Sequence, residues 1–173
     1  VLYTPFLWAP AITERKTGLL TPIIGYSGQK GFFYGQSFFW AIAEDKDATI
    51  TLDWYLKRGL GKGLEYRYIM PGNIEGTNRV YHIYDKKLGK NFYELKSVNS
   101  KRDGGFSSYI NLNLLSGKNF YREYSRHNYE RINRFLESTA ELSLAEKNSR
   151  FYLISQYLID LKFTASILRI NKV

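Results

Sequence analysis

Cysteine is absent from the 173 residues, so the chain holds no disulfide framework and no thiolate metal site. Histidine occurs only at positions 82 and 127; His127 and Glu130 could share a helix face, but two ligands do not make a metal site. No nucleophile elbow, P-loop or dinucleotide fingerprint is present, and Gly59–Gly63 lacks the Ser or Thr and the helix that a phosphate cradle requires. The expectation is therefore a protein that is not an enzyme and uses neither a cofactor nor a metal. Long apolar runs are also missing. The longest weakly charged stretch, residues 19–43, is broken by Pro22 and four glycines, which excludes a membrane-spanning helix there. The chain opens on Val1 with no basic region of a signal peptide, and reads as processed or as a piece.

What is abundant is aromatic and basic. Tyr occurs 15 times and Phe 11 times, and 25 Lys and Arg face 16 Asp and Glu for a net charge of +9. Aromatics favour strands and membrane interfaces, and a basic balance favours a polyanionic partner such as nucleic acid, an anionic membrane surface or a phosphorylated lipid.

The periodicity is two. From Asp47 to Leu56, Ile50, Leu52, Trp54 and Leu56 fall on one face and Thr49, Thr51, Asp53 and Tyr55 on the other. The same alternation returns at Leu64–Met70, Phe106–Leu115 and Arg134–Ala145. Turn signals punctuate it at Gly28–Gly31, Ala43–Asp47, Lys57–Gly63, Pro71–Asn73, Lys86–Lys90, Ser100–Gly105 and Glu146–Asn148. The spacing predicts an all-β, antiparallel up-and-down meander of about nine strands, roughly nine to twelve residues each, the length a membrane strand needs. Gly18–Ser27 is the first strand, with Pro22 inside it. Ser116–Asn133 is a long polar loop with a helical turn near Tyr121–Arg131, and 162–173 is ambiguous. Alternation alone leaves two assignments open: lipid against the apolar face and a wet lumen on the other, or an apolar core inside a soluble barrel.

Ordered pieces from Arg15 to Tyr68 carry a resemblance. They are Arg15–Pro22, the aromatic strand ending Phe38–Ala43, Asp47–Thr51, Tyr55 with Arg58 and Gly59, and Glu65–Tyr68; weaker similarity continues through residues 121–133 to Ser155–Tyr157. In this order and spacing the chain resembles the LPS-assembly outer-membrane proteins (LptD, or organic-solvent-tolerance, family). The resemblance implies a periplasmic jelly roll followed by a barrel on the order of two dozen strands. Residues 1–13 would be the end of the jelly roll or its linker, 14–161 the first barrel strands, and 162–173 a divergent tail.

The resemblance further implies passage of lipopolysaccharide into the outer leaflet through a laterally opening seam. A plug lipoprotein (LptE-like) and a periplasmic bridge protein (LptA-like) would be the partners, with no nucleic acid, in the cell outer membrane. Pro22 matches a family proline in the first barrel strand, and Ser37 stands where a second proline is frequent, so Pro22, Gly25 and Ser37 are the lateral-gate candidates. Lys57, Arg58, Lys62, Arg67, Lys86 and Lys87 are candidate lipopolysaccharide contacts, although Arg67 beside Glu65 also reads as a structural ion pair. A porin-like channel and a soluble basic β-barrel that binds nucleic acid remain the alternatives. The outward or inward direction of Ile50, Leu52, Trp54 and Leu56 decides between membrane and soluble readings.

Overall fold

The computed structural model describes residues 15–117, 119–124, 133–162 and 166–172. It is one antiparallel sheet of eleven strands. In chain order these are β1 (Gly18–Leu19), β2 (Ile23–Ser27), β3 (Gly31–Ala43), β4 (Lys46–Tyr55), β5 (Gly59–Met70), β6 (Ile74–Asp85), β7 (Lys90–Asp103), β8 (Phe106–Leu115), β9 (Phe135–Glu146), β10 (Ser149–Asp160) and β11 (Ser166–Lys172). One short helix, α1 (Phe120–Tyr124), lies between β8 and β9. From β3 onward each strand pairs with the next, while β1 and β2 both pair with β3. The up-and-down meander read from the alternation is the fold.

Four details differ from the sequence reading. The first strand is two strands, because Pro22 interrupts it. The fourth begins at Gly59 rather than Leu64, so the glycine-rich run lies in a strand. The helical turn covers Phe120–Tyr124, and 125–132 lies outside the described residues, as do 1–14. The ambiguous tail contributes β11, paired with β10 from Ile159↔Ser166 to Leu153↔Lys172.

Register fixes the faces. Asp47, Asp53 and Tyr55 of β4 are buried, whereas Ile50, Leu52, Trp54 and Leu56 are 41, 47, 46 and 59% exposed. The apolar row therefore points away from the interior. The inner face carries α1: Phe120, Tyr121 and Tyr124 pack on Tyr55, Tyr81, Ile83, Phe92 and Leu136, and this small aromatic cluster is the only buried apolar core among the described residues. A soluble sheet would hide its Leu, Ile and Trp row under such a cluster; here that row is on the other side.

The turns fall at two ends. Arg15 enters at the end that carries the turns 44–45, 71–73, 104–105 and 147–148. The far end carries 28–30, 56–58, 86–89 and the connection through α1. Backbone bonds tie the far turns together: Lys57 N–H donates to Lys30 C=O at 3.1 Å and Lys86 N–H to Arg58 C=O at 2.8 Å. Among the described residues no helix is long and apolar enough to cross a membrane, which says nothing of crossing by strands.

Candidate functional site

Proline has no N–H to give a ladder and fixes its own φ, so a sheet tolerates it only at an edge or an irregularity. Pro22 has both. Leu19 pairs with Phe38 and Ile23 with Gly35, so residues 20–22 face only Gln36 and Ser37 across the ladder, a bulge of one residue. The outer side of β1 and β2 pairs with no strand among the described residues.

The break is held by few bonds. Leu20 N–H donates to Ser37 C=O at 2.8 Å. The Leu20 carbonyl accepts from the Gln36 side-chain amide at 2.7 Å; that amide also reaches Ser37 C=O at 3.0 Å. Tyr34 Oη steadies the other end of Gln36, donating to Oε1 at 2.8 Å. A side chain thus replaces the ladder where proline interrupts it. Gln36 carried no signal in the sequence, because its role depends on the bulge opposite. Gln36→Leu removes about 0.5–1.5 kcal/mol of net hydrogen bonding at the edge. Amide hydrogen exchange at Leu20 is expected to accelerate severalfold while exchange in β5–β7 stays unchanged; an unchanged Leu20 rate would show that Gln36 does not hold the break.

The other two gate candidates sit beside it. Ser37 bonds Thr51 Oγ1 at 3.0 Å. Gly25 lies opposite Phe33, whose ring occupies the space a Cβ would take, with Cζ 2.5 Å from that point. A larger residue at 25 displaces that ring. A cavity of about 380 Å³ on the inner face begins at Ile23 and Ser37, next to the break. It continues past Thr51, Asp53, Glu65, Arg79 and Glu94 to Phe120 and Tyr124 of α1.

Ion pairs line that face. Asp47 is 2% exposed and holds Arg67 at 2.8 Å and Arg15 at 3.1 Å. Glu94 holds Lys96 at 3.3 Å and Arg79 at 3.8 Å. Arg67 is therefore in a structural ion-pair cluster, with Asp47 at 2.8 Å and Glu65 at 3.9 Å.

Of the candidate surface cations, Lys57, Lys86 and Lys87 are exposed in the far turns. Arg58 is not a surface cation: it is 5% exposed and reaches inward to Asp85 at 2.6 Å and Glu123 at 2.8 Å. Burial opposes its charge, but the hydrogen bond and attraction from Asp85, with Glu123 behind, raise the guanidinium above its ordinary value. Tyr124 also donates to Asp85, and burial, then that bond, push its hydroxyl up. Sequence reasoning missed Asp85, Glu123 and Tyr124, which pin α1 to the far turns. Lys62 is not in a turn either; it stands in β5, opposite Leu52 and His82, on the outward face. His127 and Glu130 lie outside the described residues, and among those described no three metal-ligating side chains gather.

An antiparallel meander with an apolar outward face and an inner face of ion pairs, over strands of 10 to 14 residues from β3 to β10, is the wall of an outer-membrane type of β-barrel. No protein-family model matches the chain. Curated relatives do. LPS-assembly protein LptD of Acidovorax sp. (strain JS42) is 32% identical over 132 residues, 74% of this chain and 16% of the relative. LptD of Mannheimia succiniciproducens is 29% identical over 159 residues, 87% of this chain and 20% of the relative. LptD of Pasteurella multocida is 43% identical over 79 residues, 44% of this chain and 10% of the relative. The chain belongs to the LptD family. It spans between a tenth and a fifth of the length of these relatives.

Proposed function

We propose that this stretch forms the first strands of an outer-membrane barrel that delivers lipopolysaccharide to the outer leaflet, and that β1 and β2 are one lip of a lateral opening. The carrying observation is the coincidence of two features: a proline bulge bridged by Gln36, and an inner-face cavity that starts at that bulge and runs past Asp53, Glu65, Arg79 and Glu94. An edge that lacks a ladder bond opens at lower cost, by about 0.5–1.5 kcal/mol per bond in water and more in lipid, where nothing replaces it. The polar interior would carry the saccharide and the edge would pass the acyl chains. Pro22, Gly25 and Ser37 are the residues of the lip in this reading.

Short turns at one end and a long connection at the other are the pattern of periplasmic and extracellular ends in outer-membrane barrels. On that basis the far end faces outward, with Lys57, Lys86 and Lys87 placed to meet lipid phosphates by charge-assisted contacts. A plug lipoprotein and a periplasmic bridge protein are the partners this function requires, and residues 1–13 would continue toward the periplasm.

The test is a photo-crosslinking amino acid at Leu20 and, separately, at Thr21 in the full-length cellular protein. Lipopolysaccharide adducts at one or both sites, lost when periplasmic supply is cut, are expected. No adduct at either position in folded, outer-membrane protein would leave this strand a wall element of a porin-like channel.

A further inference from the structure

We infer that Lys62 and the groove beside it bind a phosphorylated, acylated lipid on the outside of the barrel wall, in the surrounding leaflet. This rests on the membrane reading above but not on the lateral opening.

The register stacks the outward residues in rows. Leu52, Lys62, His82 and Tyr93 stand side by side across β4 to β7. The next row toward the entry end is Ile50, Leu64, Val80, Leu95 and Leu114, wholly aliphatic. Toward the far end, Trp54 and Leu60 pair, and Tyr84 is 47% exposed on the same face. Trp and Tyr in such a row mark the interface between hydrocarbon and headgroups. Lys62 is two residues from Leu60, about 7 Å further along the strand toward the hydrocarbon.

Lys62 is the one charged side chain on the described outward face of β3–β8 away from the strand ends, where Lys46, Lys101 and Asp103 lie. An unpaired cation facing lipid costs about 2–4 kcal/mol at mid-depth and falls toward zero only near the interface. Its strand neighbours do not offset that. No carboxylate pairs with Lys62 among the described residues. Its cross-strand neighbour His82 is already committed: Nε2 is 3.0 Å from Asn91 Oδ1, and the ring stacks on Tyr93 at 4.6 Å and 26°. Among the described residues the ammonium therefore has no carboxylate partner, and the chemistry that complements it at this depth is an anionic headgroup.

The surface beside it fits the rest of such a molecule. A shallow groove of about 630 Å³ runs from Lys62 and His82 along Leu64, Val80, Leu95 and Leu114. A phosphate at Lys62 would leave acyl chains against this aliphatic surface. A free phosphate ion would use the ammonium and leave the groove empty, so the groove favours the lipid.

The experiment uses the full-length protein reconstituted in phosphatidylethanolamine vesicles that contain a small fraction of bisphosphorylated lipid A, with a photo-crosslinker at Val80. Lipid A adducts are expected at about tenfold above its share of the lipid, the size of one charge-assisted contact. Lys62→Gln should return the yield to that share, Lys62→Arg should keep the enrichment, and dephosphorylated lipid A should show none. Equal yields from the wild type and Lys62→Gln, or from phosphorylated and dephosphorylated lipid, would overturn the site, leaving a lysine that merely reaches toward the headgroups. Loss of the enrichment on adding inorganic phosphate would reassign it to a free anion. Adducts at Leu20 and Thr21 report on the opening separately: their absence with enrichment at Val80 rejects the opening alone, and the reverse pattern rejects this site alone.

Discussion

Arg58→Met should be the most damaging single change on the inner face, costing about 3–5 kcal/mol, the usual consequence of removing one member of a buried ion pair. Methionine fills much of the arginine's volume, so the loss is electrostatic rather than a cavity. Asp85, fully buried, would keep Tyr124 and the amides of Lys87 and Leu88, but no cation. Glu123 would lose its 2.8 Å partner. Because Arg58 bonds β6 through Asp85 and α1 through Glu123, its removal should free α1 from the aromatic cluster as well as lower stability. Two measurements check this. Urea unfolding of the reconstituted full-length protein should shift to a lower midpoint, and chymotrypsin should cut at Tyr121 or Tyr124 under conditions where the wild type resists. Asp85→Asn combined with Arg58→Met should recover part of the loss, since the stranded charge is gone. A double variant no better than Arg58→Met alone would mean that the guanidinium acts by packing.

That network also shows where sequence reading stops. The strands of 47–56 and 106–115 were legible because alternation is a local property and each strand carries its own pattern. The direction of the faces was not, since Ile50, Leu52, Trp54 and Leu56 produce one periodicity against lipid and against a core; only their exposure and the position of α1 separate the two. Arg58 read as a turn cation because its neighbours Lys57 and Gly59 look like a turn, while its partners lie 27 and 65 residues away. Pro22 was legible as a disturbance, but the repair was not: Gln36 is an ordinary strand residue until the bulge puts the Leu20 carbonyl within its reach. Lys62 read as part of a glycine-rich basic loop for the same reason that Gly59, Gly61 and Gly63 did. Glycine in a run signals flexibility from composition alone, and the residue that explains it is on another strand.

That residue is Tyr81, and it sets the second large effect. Gly61 and Gly63 of β5 lie beneath the Tyr81 ring on the inner face, where its hydroxyl donates to Asp53 Oδ2 at 3.1 Å. A Cβ at Gly61 would overlap that hydroxyl and stand 2.7 Å from Cζ, and the ring cannot swing aside freely because Phe120 packs edge-on at 6.0 Å. Gly61→Ala should therefore destabilise by about 1–3 kcal/mol through overpacking, with a further ~0.5–1.5 kcal/mol if the bond to Asp53 breaks. The discriminating result is a change of sign. In a strand, glycine is intrinsically worse than alanine by about 0.5–1 kcal/mol. Once Tyr81→Val has removed the ring, Gly61→Ala should become neutral or stabilising. The four proteins of this cycle, compared by urea midpoint with the unfolding slope checked for constancy, isolate the pair term. An equal cost of Gly61→Ala in both backgrounds would show that the glycine answers to the backbone and not to the tyrosine. The sign reversal would establish that β5 runs through its glycines because β6 lays an aromatic ring across them, which brings Tyr81 onto Phe120 of α1 and closes the far end of the inner cavity.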